Sequence, residues 1–264
     1  MSLRSVGYRC CVAALLACSA IAARHAAALD SVVRHLQGVD YRIVTLDLRD
    51  DALEMRWRDA DDRPYASIDA LRRLGESEGR PLRFATNAGI YDRSFRPLGL
   101  TIAQGRTLRP LNTTRAEPPS GNFAIQPNGV FYVDAQHRAG VVTTDAWLRQ
   151  PVRAEIATQS GPMLVVDGAI NANFVEASDS RKWRSGVCAP EPGRVAFAVS
   201  EAPVTFHAFA RVFRDDLGCR DALYLDGTLS QIYTAEDGYS GAPAVMVKPY
   251  AAMLAVFERA PAQK

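Results

Sequence analysis

Four segments of this sequence each run from an apolar stretch into a glycine-containing turn that carries polar side chains. Loops at strand ends are where binding and catalytic groups are usually mounted. In Phe84-Ala85-Thr86-Asn87-Ala88-Gly89-Ile90-Tyr91-Asp92, the Asn87 amide can hold a sugar hydroxyl or a phosphate oxygen, and Gly89 lets the backbone come close to a ligand. The same residues also make an ordinary Asx turn. Gln159-Ser160-Gly161-Pro162-Met163-Leu164 sets two polar side chains before a tight turn. A nucleophilic Ser160 lacks the G-x-S-x-G elbow, and the histidines after His25 are His35, His137 and His207, with His207 on a helical segment as a structural residue. Ser180-Arg181-Lys182-Trp183-Arg184-Ser185-Gly186-Val187-Cys188 gathers three cations. A guanidinium fork matches phosphate oxygens with paired hydrogen bonds, so the segment suits an anion; a solvated basic loop is the alternative. Leu223-Tyr224-Leu225-Asp226-Gly227-Thr228-Leu229-Ser230 puts a carboxylate at the end of a buried strand. Such a group loses hydration and needs partners, which is common in active sites, although Asp-Gly also ends strands as a plain turn.

The elements that must hold these segments are mostly strands. Tyr41–Leu48 and Leu53–Trp57 alternate like a hairpin around Arg49-Asp50-Asp51. Ser67 caps a helix that Gly75 ends. Short strands follow at Leu82–Thr86, Gly99–Ala103, Gly129–Val133, Ala154–Ala157 and Met163–Val166. The clearest helix is Phe206–Leu217, capped by Thr205 and stopped by Gly218, with Phe206, Phe209, Ala210, Phe213 and Leu217 on one face. Strands Val195–Val199 and Ala222–Leu225 flank it, so strand, helix and strand form a unit with both strands buried. Ala244–Val247 and Met253–Phe257 close the chain as strands. Many strands and few helices, without regular alternation, predict a single α+β domain around a mixed β-sheet core.

The N-terminus predicts export. Arg4 and Arg9 precede the uncharged apolar run Cys11–Ala23, which is short of the roughly 20 residues of a bilayer crossing and matches a secretory core. Cleavage after Ala26-Ala27-Ala28 makes 1–28 a signal peptide and leaves 29–264 as one domain, periplasmic or secreted; Ala20-Ile21-Ala22 and a lipoprotein site at Cys18 are the other options. Of five cysteines, only Cys188 and Cys219 then remain, and in an oxidising compartment two read as one disulfide. No internal repeat or linker divides the chain. With 31 basic and 29 acidic residues, it has no basic stripe for nucleic acid or for an anionic membrane. No integral membrane span is expected, and the oligomeric state is open.

In order and spacing, the four segments resemble the phosphodiester glycosidase family. That family's pattern runs N-x-G-x-F/Y, then a Gly-Pro-x-Leu-Val strand, then Arg before a small-residue turn, then L-D-G-G-x-S. The matches are Asn87–Tyr91, Ser160–Val165, Arg184–Val187 and Leu225–Ser230, with Gln126-Pro127-Asn128-Gly129 resembling a further strand entry. The likeness extends from about residue 40 to residue 258. Thr228 and Cys188 stand where the family often has glycine, which alters pocket shape and removes no ionisable group.

The resemblance implies hydrolysis of a sugar-1-phosphodiester at the anomeric C–O bond. Phosphate is already a stable leaving group, so such an enzyme needs positive charge more than a strong general acid. Arg184, helped by Arg181 or Lys182, is expected to hold the phosphodiester. Asp226 is expected as nucleophile or base and Asp92 as the second carboxylate. Asn87, Asn128, Ser160, Gly161, Gly227 and Ser230 would complete the substrate site. No cofactor or metal is expected. Two other readings remain: cleavage at P–O with a divalent cation on Asp226 and Asp92, and a non-catalytic envelope module gripping a glycan or anionic polymer through the Arg181–Arg184 loop.

Overall fold

Short apolar runs broken by turn residues fold as strands along most of this chain. The computed structural model describes residues 28–115, 121–226, 230–246 and 249–259. In chain order the elements are β1 (Asp30–Leu36), β2 (Val39–Asp47), β3 (Leu53–Arg56), α1 (Ile68–Ser77), β4 (Leu82–Asn87), β5 (Thr101–Ala103) and β6 (Arg106–Arg109). Next come β7 (Gly129–Asp134), β8 (Ala139–Thr143), α2 (Thr144–Arg149), β9 (Ala154–Ser160), β10 (Met163–Val166), β11 (Ala169–Ile170), β12 (Ser185–Glu191) and β13 (Arg194–Ser200). The chain closes with α3 (Phe206–Arg211), β14 (Ala222–Asp226), β15 (Gln231–Thr234), β16 (Gly238–Gly241) and β17 (Met253–Phe257).

The strands form three sheets, ordered β1-β2-β13-β12-β14-β10-β11, β16-β15-β4-β17-β3 and β6-β5-β9-β7-β8. The α+β class holds, but the expected mixed sheet does not: the described pairings within each sheet are antiparallel. The sheets share one core, in which Val44, Phe84, Phe131, Phe197, Leu223 and Leu254 meet with little or no exposure. Dense apolar packing of this kind is the main favourable term in folding. Each helix covers an outer sheet face: α1 through Leu71 against Ala85 and Met253, α2 through Trp147 against Val130, and α3 through Phe209 against Tyr41 and Tyr224. Among the described residues, no helix is long and apolar enough to cross a membrane.

The strand–helix–strand unit is present as expected. Thr205 accepts a hydrogen bond from the Ala208 amide, α3 runs into a π-helical turn at Val212–Asp216, and Gly218 reverses the chain at φ +63°. Strands β13 and β14 flank β12, each antiparallel to it, so they run parallel to one another. Cys188 on β12 and Cys219 before β14 are joined by a disulfide, with Cα atoms 6.3 Å apart.

Three local expectations are corrected. Tyr41–Leu48 and Leu53–Trp57 are not a hairpin, because β2 pairs with β1 and β13 while β3 pairs with β17 in another sheet. The turn at Asp47–Asp51, closed by the Asp50 and Asp51 amides on the Asp47 carbonyl, passes the chain between sheets instead. The true hairpin partner of β2 is β1, joined through Gln37 and Gly38 with φ of 53° and 76°, the left-handed pair that a tight hairpin turn needs. Gly75 does not end α1. A Cβ there would lie 2.4 Å from the Arg80 carbonyl, so Gly75 serves close packing and the reversal comes at Gly79. Ala244–Met246 is a 3₁₀ turn rather than a strand, closed by the Met246 amide on the Pro243 carbonyl; Val247 lies outside the described residues.

Candidate active site

The end of β14 gathers three of the four segments around Leu225 and Asp226. Ser160 Oγ donates to the Leu225 carbonyl at 2.9 Å and accepts from the Ile90 amide at 3.4 Å, tying β9 and the segment after Asn87 to the strand end. Gly89 allows that approach, because a Cβ there would sit 2.6 Å from the Gln159 carbonyl. Asn87 Nδ2 donates to Ser185 Oγ at 2.9 Å, Ser185 Oγ lies 3.0 Å from Ser230 Oγ, and Ser230 donates to the Asp226 carbonyl at 2.7 Å. This buried polar seam links β4, β12 and the residues after β14. Buried hydroxyls and amides carry a desolvation cost unless they are bonded in this way, and a satisfied network fixes the backbone around it. The Asp226 side chain, half-buried, thus leaves a strand end held from several directions.

Arg184 supplies the positive charge. It stands just before β12 and is 1% exposed. Its Nε donates to the Val204 carbonyl at 2.9 Å and its Nη2 to the Ser180 carbonyl at 3.1 Å, while Nη1 has no hydrogen-bond partner among the described residues. Its guanidinium carbon lies 3.6 Å from the Phe206 ring centre and 5.6 Å from that of Tyr224. Among the described residues, no carboxylate pairs with it. Burial pulls the guanidinium below the usual arginine value and the Tyr224 hydroxyl partly offsets this, yet arginine starts so high that it stays charged.

Tyr224 connects the two charges. It lies two residues before Asp226 on β14, across a register shift in the pairing with β12, and its phenol feels the Asp226 carboxylate. Its hydroxyl accepts from Asn122 Nδ2 at 3.3 Å. Burial first, and the Asp226 carboxylate second, push the Tyr91, Tyr224 and Tyr250 phenols upward, so all three stay neutral at ordinary pH. A carboxylate among neutral phenols, with a buried cation nearby, is an arrangement that can hold an anion and act on the carbon beside it.

The other described residues expected at the site have local partners of their own. Asp92 closes its own loop: its carboxylate accepts from the Ser94 and Arg96 amides and from Arg96 Nε. Burial opposes its ionisation, but these bonds outweigh it and hold the carboxyl below its usual range. Arg181 and Lys182 are exposed, and the Lys182 backbone pairs with Val204. Asn128 is buried, donating to the Phe123 carbonyl at 3.1 Å and accepting from Thr144 Oγ1 at 2.8 Å. It walls a polar cavity of about 130 Å³ with Asn112, Thr113, Gln126 and Thr144. Gly161 packs against it, since a Cβ there would meet Asn128 Cβ at 2.5 Å. Gly227 lies outside the described residues. Among the described residues, no cluster of three or more His, Cys, Asp or Glu side chains is placed to hold a metal.

Ser185, Tyr224 and Phe206 went unassigned in the sequence. Tyr224 carried a usable signal, its two-residue offset from Asp226 on an apolar strand. Phe206 carried none, because an aromatic at the start of an amphipathic helix reads as core.

Residues 81–257 match the phosphodiester glycosidase family. The chain belongs to that family. It is 36% identical to the uncharacterized protein YigE of Escherichia coli over 189 residues, which is 72% of each chain. Its fold is similar to the catalytic domain of zebrafish N-acetylglucosamine-1-phosphodiester alpha-N-acetylglucosaminidase auto-inhibited by its pro-peptide, with a TM-score of 0.58 and 14% identity over 88% of this chain and 82% of that one. A hypothetical protein from Synechocystis is also similar, with a TM-score of 0.52 and 16% identity. The match covers 88% of this chain and 62% of the cyanobacterial one. At these identities the structural likenesses establish the fold.

Proposed function

We propose that this family member is an exported hydrolase that cleaves a sugar-1-phosphodiester at its glycosidic C–O bond, giving free sugar and a phosphomonoester. The observation that carries this reading is Arg184: a buried guanidinium whose Nη1 has no hydrogen-bond partner among the described residues, close to Tyr224, whose phenol in turn feels the Asp226 carboxylate. A buried cation without a carboxylate is costly, and an anionic substrate is the natural partner that offsets the cost. The substrate class follows the family and the activity in the zebrafish enzyme's name.

In this reading Arg184 holds the phosphodiester and stabilises the charge that builds on the leaving phosphate. Asp226 faces the anomeric carbon as nucleophile or as base for water, and the water oxygen ends on the sugar. Asn87, Ser160 and Ser230 act through the backbone they fix, holding the strand end that presents Asp226. The charged start and apolar run at Cys11–Ala23 support export, as does the Cys188–Cys219 disulfide.

Purified protein assayed against a panel of sugar-1-phosphodiesters, N-acetylglucosamine-1-phosphodiesters included, tests the proposal. Release of free sugar is expected. Asp226→Asn should lower kcat by about a thousandfold or more, the scale for removing a reacting carboxylate, with an unchanged thermal midpoint. Near-normal turnover in that variant would sink the assignment.

A further inference from the structure

The surroundings of Arg184 bear on how a lone cation is kept ready for an anion. A carboxylate partner would fix the guanidinium and also cancel its charge. The groups that fix it here carry no net charge: the Val204 and Ser180 carbonyls, the Phe206 ring against its face at 3.6 Å, and the neutral Tyr224 phenol, whose ring centre lies 5.6 Å away. Phe206 is itself held. It stacks on Phe174 with ring centres 4.9 Å apart and planes at 10°, meets Tyr224 edge-on at 4.8 Å, and follows Thr205, whose hydroxyl caps α3. Val204 and Phe206 belong to one turn, so the start of α3 grips Arg184 by its edge and by its face.

We infer that Phe206 is a positioning residue for anion binding: its ring holds the Arg184 guanidinium in place through a desolvated cation–π contact and leaves the full positive charge for the phosphate of the substrate. This rests on the proposed role of Arg184. A ring face attracts a cation through its quadrupole without adding negative charge, which an aliphatic side chain cannot reproduce. Arg184 should therefore keep its geometry in Phe206→Tyr and lose it in Phe206→Leu, although both preserve an apolar side chain against Phe174.

The test uses purified protein and two readouts. The first is the affinity for inorganic phosphate by calorimetry. The second is the Arg184 Nε–H resonance, which a ring at this distance shifts away from the ordinary arginine position. Phe206→Leu should weaken phosphate binding by about 30-fold, the scale of a desolvated cation–π contact, and return the resonance to the ordinary position. Phe206→Tyr should keep both. Phe209→Leu, a buried change on the same helix whose ring partners are Tyr41 and Phe213, should lower the thermal midpoint while leaving both readouts intact. Phe206→Leu with wild-type phosphate affinity and an unmoved resonance would overturn the inference, as would equal losses in Phe209→Leu. Arg184→Met separates the layers. Loss of phosphate binding there, with none in Phe206→Leu, rejects only the part given to Phe206. Phosphate binding unchanged in Arg184→Met, or absent from the wild type at millimolar phosphate, rejects the role of Arg184.

Discussion

Arg83 and Arg184 are both nearly inaccessible, at 7% and 1% exposure, and are held in opposite ways. Arg83 on β4 donates through Nη1 to Asp51 at 2.9 Å, and Asp51 also accepts from the Asp47 amide in the turn between two sheets. Charge meets charge there, and the pair fastens the turn. Among the described residues, Arg184 has backbone carbonyls and an aromatic face in place of a carboxylate. A buried ion pair serves the fold, whereas a buried cation with uncancelled charge is poised for a ligand. The contrast between these two sites, more than the presence of arginine in either, supports the proposed role of Arg184.

Substituting each arginine with methionine should pull the two sites apart. Arg83→Met strands the Asp51 carboxylate without its buried partner and should cost about 3–5 kcal/mol of stability, with activity per folded molecule unchanged. Chemical denaturation followed by assay of the folded fraction measures both. Arg184→Met removes a charged hydrogen-bond donor from the substrate and should lower kcat/KM by roughly 10- to 150-fold. Its thermal midpoint should fall less than that of Arg83→Met, because two carbonyls rather than a buried carboxylate lose their partner. If Arg184→Met unfolded the protein as Arg83→Met does, the contrast would collapse.

The smallest effect belongs to Asp92. Its bonds to Ser94 and Arg96 hold its carboxyl below the unfolded value, so its contribution to stability is present above the usual carboxylate range and is lost as pH falls through the lowered value. Hydrogen-exchange protection at the Ser94 and Arg96 amides should therefore drop in acid. Asp92→Asn should change turnover by no more than about twofold, the scale of a surface substitution. A loss as large as that in Asp226→Asn would return Asp92 to the reaction.

Much of this was legible in the sequence because it is local. The run from Val195 through Thr205 and Phe206 to Asp226 carries its own cap, helix face and buried strands, and the structure keeps them. Pairings across long separations were not legible. Asn87 meets Ser185 across 98 residues and Ser185 meets Ser230 across 45, and neither contact leaves a trace in spacing. The false hairpin after β2 has the same cause, since alternation marks a strand without naming its partner. Asp92 was ambiguous in the sequence because a carboxylate bound for a turn and one bound for catalysis look alike until their hydrogen bonds are known.

The central claim, that Arg184 and Asp226 act on a sugar-1-phosphodiester at carbon, is tested most directly by where water's oxygen goes. Hydrolysis of an N-acetylglucosamine-1-phosphodiester, or of whichever diester in the panel is cleaved fastest, is run in oxygen-18 water and the products are weighed by mass spectrometry. The account predicts the label in the free sugar and none in the phosphomonoester. Label in the phosphomonoester would mean cleavage at phosphorus and would contradict it, as would failure to release sugar from any member of the panel.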